Sequence, residues 1–215
     1  STGRPKLVPH GHRQIVVCAL ATGERLGLGP GAVSGHLRPQ HLAGGIRNAF
    51  MQSLVCGGAV NVMPENDLDA LFDECARGNV TYVSASFTFF RELRARIEAR
   101  GRFDRGRLRF VRIASGRLEP AEMDCLEALL GVPVVTGLAS SETGTTAQQA
   151  LPPAPRKRGS VGTPVACEVS LVGDDGRVVP PGAVGELQVR GPQVFDGYLD
   201  DPELNAATFV DGWYR

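Results

Sequence analysis

Residues 132–142 have the sequence VPVVTGLASSE. The first five residues are apolar or β-branched, which predicts a short buried strand. The last six, from Gly137 to Glu142, predict a small hydroxyl-rich turn that ends in one carboxylate. Serine hydroxyls can donate hydrogen bonds to phosphate oxygens, and a carboxylate supplies the hard oxygen ligand that Mg²⁺ prefers. The same composition is also typical of an ordinary tight loop, so the turn alone does not establish a site.

Segments with helical and extended spacing alternate along the chain before this turn. The hydrophobic spacing predicts helices over 13–22, 46–56, 68–76, 88–100 and 120–130, and strands over 36–39, 59–63, 80–85, 108–114 and 132–136. This alternation predicts an α/β fold with a mostly parallel sheet and flanking helices. Ligands of such sheets usually lie at the carboxyl ends of the strands, which is where Ser115–Arg117 and Gly137–Glu142 fall.

The sequence changes character after a proline-rich basic loop at residues 151–159. Residues 165–172 and 184–190 predict strands joined by glycine-containing turns, so we expect a small antiparallel β module. The chain is therefore predicted to contain an α/β subdomain over residues 1–159 and a β-rich subdomain over residues 160–215.

Composition excludes several classes of function. Lys+Arg and Asp+Glu both number 23, so the formal net charge is zero and no global field favours nucleic acid or an anionic membrane. No apolar run approaches the roughly 18 residues of a membrane span. The cysteines are widely spaced, without a C-x-x-C pattern, which favours reduced thiols in a cytoplasmic protein. They are Cys18, Cys56, Cys75, Cys125 and Cys167.

The first twelve residues predict a loop with hydroxyls, a glycine and Lys6. Such a loop can hold phosphate through backbone N–H groups and the lysine charge, but it does not fit the Walker pattern. The chain begins at Ser1 and ends at Arg215 without polar tails, so we expect it to be an excised piece of a longer protein.

Five segments, in order along the chain, together resemble the adenylate-forming superfamily of acyl-CoA synthetases, peptide-synthetase adenylation domains and luciferases. The first resembles the back half of the family's phosphate loop, the fourth its Y-G-x-T-E motif, and the last a long signature near the end of the chain. These segments are Ser1–Lys6, His36–Gly45, Ala114–Leu118, Gly137–Glu142 and Gly185–Arg215. The tract over residues 151–162 is most similar to the small-acid branch that includes oxalate–CoA ligases.

The resemblance implies an ATP-dependent acid–thiol ligase that forms an acyl-adenylate and passes the acyl group to CoA or to a phosphopantetheine thiol. It implies a carboxylic acid substrate, ATP and Mg²⁺, with CoA or a carrier protein as acceptor. Lys6, Ser141 and Glu142 would be catalytic, with Glu142 also the Mg²⁺ ligand, and His41 would border the acyl group. The implied nucleotide-binding residues are Ser1, Thr2, Gly3, Lys6, Ser115, Gly116, Arg117, Gly137, Leu138, Ala139, Ser140 and Ser141.

Two residues depart from the family pattern. Leu138 replaces the tyrosine that the family stacks on adenine, and Ala139 replaces its glycine. Two alternatives therefore stay open: a catalytically degenerate module that binds nucleotide or acyl ligand, and an adenylation domain that loads a carrier protein. The family's mobile C-terminal domain has no counterpart in these 215 residues, so we expect the chain alone to be inactive.

Overall fold

The computed structural model describes residues 4–114, 116 and 118–215. Five predicted site residues lie outside the described residues: Ser1, Thr2, Gly3, Ser115 and Arg117.

A seven-stranded sheet forms the larger part of the molecule, in the order β2-β1-β3-β4-β5-β6-β7. Strands β2, β1, β3, β4 and β5 are parallel, whereas β6 and β7 are antiparallel to their neighbours. The predicted α/β fold with a mostly parallel sheet is confirmed. The strands are β1 Val33–His36, β2 Ala59–Val62, β3 Tyr82–Ser86, β4 Phe110–Ala114, β5 Val134–Ser140, β6 Gly144–Gln148 and β7 Thr163–Pro164.

Helices cover both faces of this sheet, and local sequence explains where several of them begin and end. Asp67 accepts a hydrogen bond from the Ala70 N–H at the start of α4, and Ser86 does the same for Phe89 at the start of α5. The helices are α1 His12–Arg25, α2 Ala43–Gly45, a π-helical segment Ile46–Met51, α3 Gln52–Val55, α4 Leu68–Ala76, α5 Phe87–Arg100, α6 Pro120–Leu130 and α7 Pro202–Thr208. None of the helices in the described part of the chain is long and apolar enough to cross a membrane.

The two faces of the sheet differ in chemistry. One face packs against α4, α5 and α6 through a large apolar cluster that includes Phe90, Leu93 and Ile113. Burying each such side chain contributes roughly 1.5–3 kcal/mol. On the opposite face Tyr82 stacks on Phe110 with ring centroids 5.2 Å apart, and polar side chains follow toward the carboxyl ends of the strands. The candidate site lies on this second face.

A smaller antiparallel sheet follows, which confirms the predicted antiparallel β module. It has four strands in the order β10-β11-β9-β8. It packs around a cluster of buried residues that includes Val189, Phe195 and Tyr198. The predicted division at residue 160 stays a prediction; β7 still pairs with the large sheet. The strands are β8 Glu168–Val172, β9 Glu186–Arg190, β10 Phe209–Val210 and β11 Trp213–Tyr214.

The basic loop at residues 151–159 is tied to the large sheet. Arg156 donates to Glu127 at 2.5 Å and to the Val134 carbonyl at 2.9 Å, and Arg158 pairs with Glu127 and Asp124. These ion pairs place acidic side chains beside both arginines of the loop.

Several predicted boundaries are shifted by one to three residues, and three predicted elements differ in a way that bears on the site. The strand predicted over 36–39 is β1, which ends at His36, because Arg38 and Pro39 lie beyond the paired register. The helix predicted from Ile46 starts at Ala43 and passes through the π-helical segment. Most importantly, the strand predicted to end at Thr136 continues to Ser140 and folds back as β6. Residues 137–140 extend because β6 offers hydrogen-bonding partners that the local sequence does not reveal.

Candidate active site

The tip of the β5–β6 hairpin presents Ser141 and Glu142. Ser140 Oγ accepts a hydrogen bond from the Thr143 N–H at 3.0 Å and lies 2.9 Å from Thr143 Oγ1, so this hydroxyl closes the turn. Ser140 is consequently engaged within the hairpin. The two residues between these partners are the ones that the turn projects outward.

An irregular register precedes this tip. The pairing of β5 with β6 shifts between Leu138 and Ala139, as in a β-bulge, a device that redirects side chains near functional sites. A Cβ at Gly137 would lie 2.9 Å from the Ala147 carbonyl oxygen, so glycine permits this close approach of the strands. Leu138 is 39% exposed and therefore offers an apolar surface to a ligand.

A polar network joins the N-terminal segment to the hairpin tip through Tyr198. The Tyr198 hydroxyl donates to Glu142 Oε1 at 3.0 Å and lies 3.0 Å from the Tyr214 hydroxyl. Lys6 Nζ lies 3.4 Å from the Tyr198 hydroxyl and 4.7 Å from the centre of its ring. Lys6, Glu142, Tyr198 and Tyr214 thus form one connected cluster.

The direction of these hydrogen bonds follows from proton count. Burial raises the pKa of Tyr198 well above its usual range, with further contributions from its hydrogen bonds to Tyr214 and Glu142. Burial also raises the pKa of Tyr214. Both phenols are therefore protonated near neutral pH. Because the single Tyr198 proton goes to Glu142, the Tyr214 hydroxyl donates to Tyr198, and Lys6 donates as well.

Glu142 fits the role of a metal ligand. Its Oε1 accepts from Tyr198, and no described cation pairs with the carboxylate. Among the described residues no group of three or more His, Cys, Asp or Glu could hold a metal ion. Mg²⁺ commonly binds through one or two carboxylates together with substrate phosphates and water, so one carboxylate suffices here.

A second contact group holds the backbone of the tip. His10 Nε2 lies 2.6 Å from the Ser141 carbonyl oxygen, and Arg47 Nη1 donates to the same oxygen at 2.8 Å. Arg47 Nη1 also lies 3.0 Å from His10 Nε2, so His10, Arg47 and the Ser141 carbonyl form one contact group. Burial lowers the pKa of His10, and the neighbouring Arg47 charge lowers it further, so the ring is neutral near pH 7.

The segment after β9 buttresses the tip from the other side. The Phe195 N–H donates to the Glu142 carbonyl at 2.9 Å, and Gln193 Nε2 donates to the Thr143 and Thr145 carbonyls at 3.0 and 2.7 Å. The Leu199 N–H donates to the Leu7 carbonyl at 3.0 Å, which fixes the N-terminal segment beside the same loop. The site is therefore assembled from several stretches of chain that are distant in sequence.

Two cavities adjoin the tip and share Ala43, Arg47 and Ser141. The first has a volume of about 390 Å³ and is lined by residues that include Arg38, Arg47, Asn48, Ala114, Ser140 and Ser141. The second has a volume of about 540 Å³ and is lined by residues that include Lys6, His10, His12, His41, Met51 and Ser141.

The structure brings together Lys6, Ser141 and Glu142, the three residues predicted to be catalytic. His41 is exposed and lines the second cavity, so its role in acid binding stays a prediction. Gly116 is exposed after β4 and lies against Phe87, where an added Cβ would be 3.0 Å from the Phe87 Cβ. Its contact with adenine also stays a prediction.

Four residues of the site were not predicted from the sequence: His10, Arg47, Tyr198 and Tyr214. The two tyrosines fall within the signature over Gly185–Arg215, which could have suggested a role for them. His10 and Arg47 carry no local pattern that separates them from ordinary polar residues.

The α/β fold, with polar residues gathered at the carboxyl ends of the strands, is an architecture that often binds ligands at this edge of the sheet. Comparison with known proteins identifies the family. Residues 1–199 match the AMP-binding enzyme family. The chain is 32% identical to oxalate–CoA ligase of Arabidopsis thaliana over 80% of this chain and 34% of that protein. It is 31% identical to sulfoacetate–CoA ligase of Cupriavidus necator over 100% of this chain and 42% of that protein.

A solved structure of similar shape is ATP-bound MatB from Rhodopseudomonas palustris. It has a TM-score of 0.88 and 25% identity, over 99% of this chain and 42% of that one. The chain thus spans about a third to two fifths of the length of these relatives. It belongs to the AMP-binding enzyme family, which confirms the resemblance to adenylate-forming ligases.

Proposed function

We propose that this chain forms the nucleotide- and acid-binding part of an AMP-forming acid–thiol ligase. A carboxylate oxygen attacks the α-phosphorus of ATP, and the bond to pyrophosphate breaks, which leaves an acyl-adenylate. A thiol then attacks the acyl carbon and AMP leaves. The observation that carries the proposal is the cluster of Lys6, Tyr198 and Glu142 directly beside Ser141.

Each residue of the cluster suits one part of the first step. The Ser141 hydroxyl would hydrogen-bond the α-phosphate, and the positive charge of Lys6 would neutralise the outer phosphates. Glu142 would hold Mg²⁺, which supplies further neutralisation of the triphosphate when it is bound. Tyr198 would fix the carboxylate and the ammonium relative to each other. Ser1, Thr2 and Gly3 are proposed to extend the phosphate contacts, and Ser115, Gly116, Arg117 and Gly137–Ala139 to border the adenine.

CoA is the acceptor that the names of the CoA-ligase relatives support. A phosphopantetheine arm on a carrier protein presents the same thiol and stays an alternative. A thiol-acceptor assay that compares CoA with a loaded carrier protein would separate them. A cytoplasmic location, expected from the described free thiols, belongs to the same proposal.

The test is ATP–pyrophosphate exchange by the full-length protein, with a hydroxamate screen over carboxylic acids to find the substrate. Glu142→Gln should lower exchange by about 100-fold or more, because the neutral amide is a poorer ligand for the Mg²⁺ that would neutralise charge developing on the phosphates. Glu98→Gln, on the exposed side of α5, is the matched control and should behave like the wild type. Absence of exchange with every acid would contradict the ligase proposal.

A degenerate binding module is the second candidate, and Leu138 and Ala139 favour it because they replace the family's stacking tyrosine and its glycine. Calorimetric titration of the full-length protein with ATP·Mg, alongside the exchange assay, separates the two functions. Binding without exchange supports the module, whereas exchange supports the ligase.

A further inference from the structure

The cavity of about 390 Å³ beside the hairpin tip carries positive charge without a matching acid. Arg38 and Arg47 line it, and no described aspartate or glutamate does. Within residues 4–114, 116 and 118–215, neither arginine has a carboxylate oxygen within 4.0 Å. This differs from the exposed arginines of α5, where Arg94 pairs with Glu98.

The hydrogen-bonding capacity of these guanidinium groups is not used up. Arg38 Nη1 and Arg47 Nη2 are buried, and neither has a partner among the described residues. Burial lowers the pKa of Arg38, which reports that its charge is poorly solvated. Buried N–H donors without partners on half-buried guanidinium groups are unfavourable, so an anion that entered this cavity and accepted from them would relieve the cost.

A third guanidinium stands behind the cavity wall. Arg112 is 0% exposed and lies two residues before Ala114 on β4, so both side chains point to the same face of the sheet. Its Nε donates to Gln148 at 2.6 Å and its Nη2 to Thr145 at 3.3 Å, while Nη1 has no described partner. Burial lowers the pKa of Arg112 to about 10, so it remains charged near neutral pH. It adds positive charge near a cavity that no described carboxylate lines.

The two cavity arginines differ in what holds them. Arg47 is tied to the Ser141 carbonyl, so it lies at the end where the reacting carboxylate would meet the α-phosphate. Arg38 has no tie to the tip, and its guanidinium lies against Gly44, where a Cβ would be 2.9 Å from Nη1. Arg38 is consequently available for a different group of the same substrate.

We propose that this cavity selects a short acid with a second anionic group, a carboxylate or a sulfonate, and that Arg38 binds that second group. The inference rests on the proposed ligase function, which accounts for the reacting carboxylate. The volume lies at the lower end of the range for ligand pockets, which favours a short acid.

The test compares acids that differ only in the second charge. The full-length protein is assayed by ATP–pyrophosphate exchange with oxalate, malonate, succinate and glutarate, each against its monoamide. Sulfoacetate and 3-sulfopropanoate test the sulfonate form. We expect the wild type to prefer the dianions in kcat/KM. Arg38→Met should reduce that preference by about 10- to 100-fold, the value of a charge-assisted hydrogen bond.

Controls keep folding apart from recognition. Arg94→Met removes an exposed arginine from α5 and should keep the wild-type preference. Arg38→Lys retains the positive charge but lacks the planar, bidentate guanidinium, so it should keep part of the preference for dianions. Circular dichroism reports whether each variant folds. If Arg38→Met does not fold, the preference of the wild type for dianions over monoamides decides the inference.

Different experimental results would contradict the inference about Arg38 and the ligase proposal. Equal use of diacids and monoamides, or an equal loss of both in Arg38→Met, overturns the inference and leaves the ligase standing. If no acid supports exchange, the ligase proposal fails, and calorimetric titration with the same acids decides the inference. In that titration, dianion binding that weakens in Arg38→Met supports the inference about Arg38. Binding that is undetectable, or unchanged in Arg38→Met, overturns the inference.

Discussion

The Tyr198 hydroxyl donates a 3.0 Å hydrogen bond to Glu142 Oε1, across 56 residues of sequence. Tyr198 is 4% exposed, so this phenol is anchored in the aromatic cluster of the small sheet while its hydroxyl reaches the hairpin of the large sheet. The relationship makes the position of the proposed metal ligand depend on how the two sheets pack.

Tyr198→Phe should therefore disturb both stability and nucleotide binding. The change leaves the Tyr214 hydroxyl and a Glu142 oxygen without their partner, which should cost about 1–3 kcal/mol of unfolding free energy. It should also raise the KM for ATP·Mg in the exchange assay. Tyr82→Phe, which removes a buried hydroxyl bonded to Ser53, is the control and should lower stability alone. Equal KM values in the two variants would contradict the positioning role of Tyr198.

Leu138→Tyr should strengthen nucleotide binding. Leu138 is 39% exposed, so a larger ring fits without repacking the core and can stack on adenine. A stacking contact is worth about 1 kcal/mol, or roughly a fivefold lower Kd for ATP. Leu171→Tyr, at an equally exposed position of β8, should leave the Kd unchanged. Calorimetry measures both variants, and no gain from Leu138→Tyr would show that this side chain does not face the adenine.

Stability should fall as the pH is lowered from about 7.5 to 5.5. Burial lowers the pKa of His36, which is 2% exposed with both ring nitrogens unpartnered among the described residues. The unfolded chain therefore binds a proton that the folded chain resists. His36 contributes most above its unfolded pKa, and the contribution is lost as pH falls toward the folded pKa, by at most about 1.4 kcal/mol per pH unit.

Urea unfolding at several pH values measures this slope. His36→Gln should flatten it, and His41→Gln, at an exposed position, serves as the control. An unchanged slope in His36→Gln would assign the pH dependence to other groups, such as His10, whose pKa is also lowered by burial.

Arg156→Met should destabilise the fold by about 1–3 kcal/mol. Arg156 bonds both Glu127 and the Val134 carbonyl, and removing it leaves a largely buried carboxylate without that partner. Lys157→Met, one residue further along the same loop and exposed, should change stability little. Denaturant unfolding of both variants is the measurement, and similar midpoints would mean that the loop is not needed to hold β5.

Much of the fold follows from local sequence. The helix over residues 120–130 was predicted with the bounds of α6, because an apolar stripe, a first-turn proline and a terminal glycine all act within a few residues. The extension of β5 through Leu138 and Ala139 was not predicted. Small residues there carry no strand signal, and their extended form depends on pairing with β6.

For the site, residue types and order were sufficient to identify Lys6, Ser141 and Glu142 as candidates and to indicate the family, since those features are written in contiguous motifs. The sequence motifs did not predict the network that links them through Tyr198. They also did not predict that Arg38, Arg47 and Arg112 would lie near one cavity with no described carboxylate in its lining. Hydrogen bonds and burial join residues up to 192 positions apart. Local propensity carries no information about such pairs, so packing of the two sheets and their helices alone determined which polar groups meet and which are left without partners.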